Sequence, residues 1–96
     1  MESLVGQGSD QTIVEKRFEV DVLYNGIPKP FKVESHKKVE ALLKQAVAAF
    51  CITQAPHLLS LYRKDGTEIN DHVSIEEAGI RPGEHLALRP SAVKAG

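Results

Sequence analysis

Two prolines, Pro28 and Pro30, stand inside a stretch whose alternation otherwise reads as a β-strand, directly after Asn25-Gly26. A proline has no N–H to give to a ladder and is confined to edge strands. Residues of one parity in a strand point their backbone groups to the same side. Pro28 and Pro30 share a parity, so both face one open edge, while Ile27, Lys29 and Phe31 pair with a neighbour. That neighbour is the preceding segment. Phe18, Val20, Val22 and Tyr24 alternate with Glu19, Asp21 and Leu23, the period-two pattern of a strand with one buried face. Asn-Gly between two such runs is the preferred type I′ turn, because both central residues need positive φ. The sequence therefore predicts a hairpin, 18–24 with 27–33, whose second strand lies outermost in its sheet.

A helix comes next. Val39, Leu42, Leu43, Ala46, Val47 and Phe50 make one apolar stripe at helical spacing, with Lys38, Glu40, Lys44 and Gln45 on the outer face. Ser35 is the candidate N-cap, and the helix is expected to end near Cys51. Leu58 to Tyr62 reads as a third strand, and Lys64-Asp65-Gly66 turns it into a short fourth strand around Glu68-Ile69. A long connection over 70–83 carries Val73, Ile75, Ala78 and Ile80. The last strand, Glu84 to Arg89, alternates Leu86 and Leu88 with His85, Ala87 and Arg89, and Pro90 stops it. The order is ββαββ, a connection, then β. One sheet wrapped around one amphipathic helix covers every apolar stripe. The expected fold class is α+β, a mixed sheet of four to five strands around one main helix.

Ninety-six residues suffice for one domain. Residues 1–15 read as a flexible leader, 16–90 as the domain, and 91–96 as a flexible tail without a burial signal. The core must be aliphatic, since the chain holds two Tyr, three Phe and no Trp. A net charge of −1, with basic residues scattered, speaks against nucleic-acid or anionic-membrane partners. Lys37-Lys38 reads as a solvated helix start rather than a phosphate clamp. No apolar run approaches the ~20 residues of a membrane span, and the N-terminus has no signal-peptide pattern. Cys51 has no partner for an internal disulfide, which fits a reducing, cytoplasmic setting.

The runs Leu59-Ser60-Leu61-Tyr62, Lys64-Asp65-Gly66-Thr67-Glu68-Ile69, Ser74-Ile75-Glu76-Glu77-Ala78-Gly79-Ile80 and His85-Leu86-Ala87-Leu88-Arg89 resemble ubiquitin-like proteins of the β-grasp fold. The resemblance covers about residues 17–96 and implies a strand, a Gly turn, a short strand, a one-turn helix and a final strand in that order. From Gly79 to Pro90 and in the tail, the chain resembles small bacterial ubiquitin-like proteins. Their genes lie beside homologues of an activating enzyme, a conjugating enzyme and a JAB-type metallopeptidase. In that family an aliphatic patch on the outward face of the third and fifth strands is read by receptors. The matching positions here are Ser60, Ala87 and Arg89, which are not aliphatic, so receptors of ubiquitin itself are not expected to bind. Conjugated modifiers finish Gly-Gly, whereas this chain reads Ala95-Gly96.

The resemblance implies a substrate rather than an enzyme: a C-terminal carboxylate that is adenylated, passed to an enzyme cysteine as a thioester, and joined to a target amine by an isopeptide bond. Gly96 suits this because it lacks a Cβ, and Ala95 adds one methyl. Other residues carry no competing chemistry. His36, His57, His72 and His85 are too dispersed for zinc and read as surface residues. Cys51, between Phe50 and Ile52, reads as a buried structural thiol. Glu76-Glu77 reads as a solvated face. Asn25-Gly26 and Asp65-Gly66 are turns, not phosphate loops. Neither a cofactor nor a metal is expected. Three readings follow: a conjugated modifier with activating, conjugating and JAB-type partners and target proteins, expected as a monomer; a non-covalent interaction module; and a sulfur carrier bearing a thiocarboxylate. Sulfur carriers are usually more compact than this chain.

Overall fold

The structure is a computed structural model and describes residues 16–94. The leader at 1–15 and the candidates Ala95 and Gly96 lie outside the described residues. Strands β1 (Arg17–Tyr24) and β2 (Ile27–Glu34) form the hairpin. Helix α1 (Val39–Ala49) follows, then a 3-10 turn (Pro56–Leu58), β3 (Leu59–Arg63) and β4 (His85–Pro90). The sheet order is β2-β1-β4-β3. β4 pairs parallel to β1 and antiparallel to β3, so the sheet is mixed.

The hairpin register explains how two prolines are tolerated. Tyr24 pairs with Ile27 around Asn25 (φ 52°) and Gly26 (φ 79°), the positive angles a type I′ turn demands. The closing pair of such a hairpin exchanges hydrogen bonds and the pairs alternate from there. Pro28 opposite Leu23 and Pro30 opposite Asp21 thus fall where an N–H would point away from β1. β2 is an edge strand of the sheet, as the prolines require.

Val20 and Val22 of β1, Phe31 and Val33 of β2, Leu59 and Leu61 of β3, and Leu86 and Leu88 of β4 face Val39, Leu42, Leu43 and Ala46 of α1 in one core. Ile69, Ile75 and Ile80 of the long connection close it from the side. Val47, expected in the core, is only half-buried. It shares the rim of the stripe with Phe50, whose ring packs 5.3 Å from Tyr24 and 6.4 Å from Phe31.

The helix start differs from the sequence reading, while its end falls near Cys51 as expected. Ser35 does not cap α1; it is buried and its Oγ accepts from Lys16 N at 3.1 Å. The cap residue is Lys38, which makes no side-chain cap bond. Instead Val39 N and Glu40 N donate to Val73 O (2.9 Å) and Asp71 O (3.1 Å) of the connection. The first-turn donors that every helix leaves open are met by a segment more than thirty residues away. At the other end Cys51 N donates to Ala48 O and Ile52 N to Val47 O, with Cys51 at φ 55°. This is a Schellman motif with cysteine in the left-handed position that glycine favours. Cys51 is consequently exposed, not the buried thiol expected.

The short fourth strand reduces to a single bridge between Glu68 and Tyr62, beside Arg63 N to Thr67 O and Ile69 N to Leu61 O, each 2.8 Å. Thr67 N bonds Asp65 Oδ1 at 2.9 Å, which holds the Asp65 carboxyl below its ordinary value. At 74–79 a one-turn element opens on a reciprocal capping box: Glu77 N to Ser74 Oγ and Ser74 N to Glu77 Oε1, both 3.0 Å. Glu77 is therefore a capping residue as well as a solvated one.

Candidate functional site

The sheet has two faces, and α1 covers one. Along each strand the other set of side chains points outward. The register aligns four of these in one row across the sheet: Pro28 opposite Leu23, Leu23 opposite Ala87, and Ala87 opposite Tyr62. Leu23 is 44% exposed, a large apolar side chain left uncovered. A shallow groove of about 450 Å³ runs along this row, lined by Asp21, Leu23, Pro28, His85, Ala87 and Arg89. His85 Nδ1 lies 3.3 Å from Asp21 Oδ2 at its margin. Arg89 stacks its guanidinium over the Tyr62 ring at 4.7 Å.

Of the sequence-predicted surface residues, Ala87 and Arg89 do lie on this outer face. Ser60 does not contribute. It is 1% exposed, although its parity on β3 points it outward opposite Arg89. Beside it lie Glu68 to His72 and the segment after Pro90, for which the sequence showed no burial signal. Ser91 is also 1% exposed, and its N–H donates to Leu58 O at 2.8 Å. Its hydroxyl donates to Glu68 Oε2 and accepts from Val93 N (3.1 Å) and Lys94 N (2.9 Å). The Tyr62 hydroxyl lies 3.0 Å from Pro90 O and 3.1 Å from Glu68 Oε1, and accepts from Ala92 N at 3.2 Å. Lys94 Nζ donates to Leu59 O at 2.8 Å and forms an ion pair with the buried Asp71 carboxylate. Residues 91–94 thus fold back over the outer side of β3. Nothing in the local pattern Ser-Ala-Val-Lys announces this, because the groups that anchor it to the body, Leu58 O, Leu59 O, Tyr62, Glu68 and Asp71, lie far back in the chain.

The electrostatics agree. The Ser91 hydroxyl holds the Glu68 carboxyl below its ordinary value, against partial burial, which pushes it up. A carboxylate with a lowered folded value stabilises fully above its unfolded value of roughly 4.3. The contribution is lost as pH falls through the lower, folded value. Wild type and Glu68→Gln should therefore differ most in urea midpoint near neutral pH and converge as pH falls below about 4. A difference that stays constant across that range would remove Glu68 from the set of groups holding the segment.

Among the described residues no group of three His, Cys, Asp or Glu side chains could hold a metal ion, and no helix is long and apolar enough to cross a membrane. The row missed by the sequence reading is Pro28, Leu23 and Tyr62. Their outward parity was legible, but their alignment depends on pairing between strands distant in sequence.

No family model matches the chain, and no curated protein matches it. Solved structures do. A de novo designed protein based on ubiquitin is 21% identical with a TM-score of 0.69, the match covering 79% of this chain and 90% of that one. The ubiquitin of Caldiarchaeum subterraneum is 18% identical with a TM-score of 0.66, covering 80% and 96%. ATBAG1, solved in complex with HSP70, is 14% identical with a TM-score of 0.67; the match covers 81% of this chain but 42% of that one. At these identities the likeness is one of architecture, and it agrees with the mixed sheet and single helix described above: the chain has the ubiquitin-like β-grasp fold.

Proposed function

We propose that this chain is a ubiquitin-like protein modifier, a substrate of other enzymes rather than an enzyme. The Gly96 carboxylate attacks the α-phosphate of ATP and releases pyrophosphate. An enzyme thiolate then displaces AMP to give a thioester, and a target amine displaces the thiol to give an isopeptide bond. The partners this requires are activating- and conjugating-enzyme homologues, with a JAB-type peptidase to reverse the bond, in the cytoplasm. The observation that carries the reading is where the chain leaves the sheet. β4 lies inside the sheet, yet the chain departs from it at Pro90 onto the outer surface. Residues beyond can be offered to an enzyme while the core stays whole. The match to almost the full length of an archaeal ubiquitin supports it.

A second reading is favoured by the apolar row. A non-covalent module would bind partners through Leu23, Pro28 and Ala87 and make no use of Gly96. One pair of experiments separates them. Charging with the activating-enzyme homologue of the source organism and ATP, followed on a non-reducing gel, should give a thioester with the full chain and none after deletion of Gly96. Equal charging of both, or of neither, would transfer the assignment to the module, whose binding should then survive the deletion and fail with Leu23→Glu or Ala87→Glu.

A further inference from the structure

The geometry points to a latch: Ser91 to Lys94 are strapped against β3 and shorten the reach of the chain that follows toward an activating enzyme until the strap opens. The inference rests on the modifier reading. Its basis is the arrangement of bonds that hold the segment down. Four backbone N–H groups, from Ser91 to Lys94, are each met by a carbonyl or hydroxyl of the body or of Ser91 itself. Two side chains anchor it, Ser91 on Glu68 and Lys94 on Asp71 and Leu59 O. Apolar burial adds little, since Val93 is 79% exposed. A strap held by polar bonds alone can exchange them for water, so it can open without disturbing the core.

Reach makes the latch consequential. An extended residue spans at most about 3.3–3.6 Å. With Lys94 held on Asp71, whatever follows can reach out only from Lys94. Release at Pro90 adds the four residues 91–94 to that reach, about 13 Å, enough to enter an enzyme cleft. Opening exposes the Tyr62 hydroxyl, Ser60 and the Asp71 carboxylate, whose Oδ1 is already buried without a partner. An activating enzyme that presents a cationic side chain to Asp71 would favour the open state, because a partner shifts such an equilibrium only by its differential affinity for the two states.

The test uses the full chain with Ser91→Ala and with Lys94→Met. Carboxypeptidase Y, followed by mass spectrometry, should remove Gly96 and Ala95 from the wild type and pause at Lys94. It should run several-fold faster to Pro90 in both variants. Unchanged amide shifts at Leu61 and Leu86 certify the fold. With activating enzyme and ATP, the variants should form thioester several-fold faster than the wild type at limiting enzyme. Digestion of the wild type straight to Pro90 at the variants' rate would overturn the latch. So would equal or slower charging of the variants while the wild type charges, and that outcome leaves the modifier reading standing. A wild type that never charges overturns both.

Discussion

Leu86→Ala is expected to lower the unfolding free energy by about 2–5 kcal/mol, the range for large-to-small changes in a closed core. Leu86 is 2% exposed on β4, the strand that joins the two halves of the sheet. Its register neighbours are Val22 on β1 and Arg63 on β3. Truncation removes the transfer term and leaves a cavity that flanking strands cannot close, because both are hydrogen-bonded to β4 at fixed spacing. A domain of this size has total stability of about 5–15 kcal/mol, so the loss takes a large share of it. Urea denaturation at 25 °C with an unchanged slope measures it. A loss below about 1 kcal/mol would mean that the inward face of β4 is misassigned.

Lys94→Met is expected to cost about 1–3 kcal/mol, the penalty for leaving a buried polar group without its partner. Asp71 is the reason the effect is large for a residue so near the end of the described chain. Its side chain is 8% exposed and its second oxygen has no partner, so among the described residues Lys94 supplies its one ionic contact. Without the ammonium, the carboxylate either stays buried unpaired or is hydrated by release of the strap. The observed loss is the smaller of those two costs, which keeps it below the 3–5 kcal/mol of a fully buried pair. Lys94→Met in an Asp71→Asn background should cost clearly less than in the wild type, since contacting partners are non-additive. Equal losses in both backgrounds would show that Lys94 acts through its backbone rather than through the pair.

Much of the fold was legible because its signals are local. Alternation in β1, the Asn25-Gly26 turn and the helical stripe from Val39 to Ala46 each depend on a few adjacent residues. Pro28 and Pro30 went further and placed a whole strand within the sheet, since a missing donor is intolerable anywhere but an edge. The outward parity of Ala87 and Arg89 followed from the same alternation. Where the reading failed, the missing information lay in distant chain. Ser35 looked like a cap because capping serines precede helices, but the donors of α1 found Val73 O and Asp71 O instead. Ser60 looked like a surface residue because its parity is outward, and parity cannot reveal that the fold buries it all the same.

The boundary falls between backbone chemistry and side-chain pairing across the fold. Chain order, turn type, edge position and the apolar face of each element are properties of short windows, set by sterics, missing donors and hydrophobic period. Which outward faces remain open is a property of packing. Leu23, Pro28 and Ala87 form a row only because β1 pairs with both β2 and β4. Lys94 becomes an anchor only because folding brings Asp71 to it from 23 residues away. A Ser-Ala-Val-Lys segment without a buried acid nearby would have been ordinary solvated chain; beside Asp71 and Glu68 it is held, because a desolvated carboxylate binds the donors within its reach.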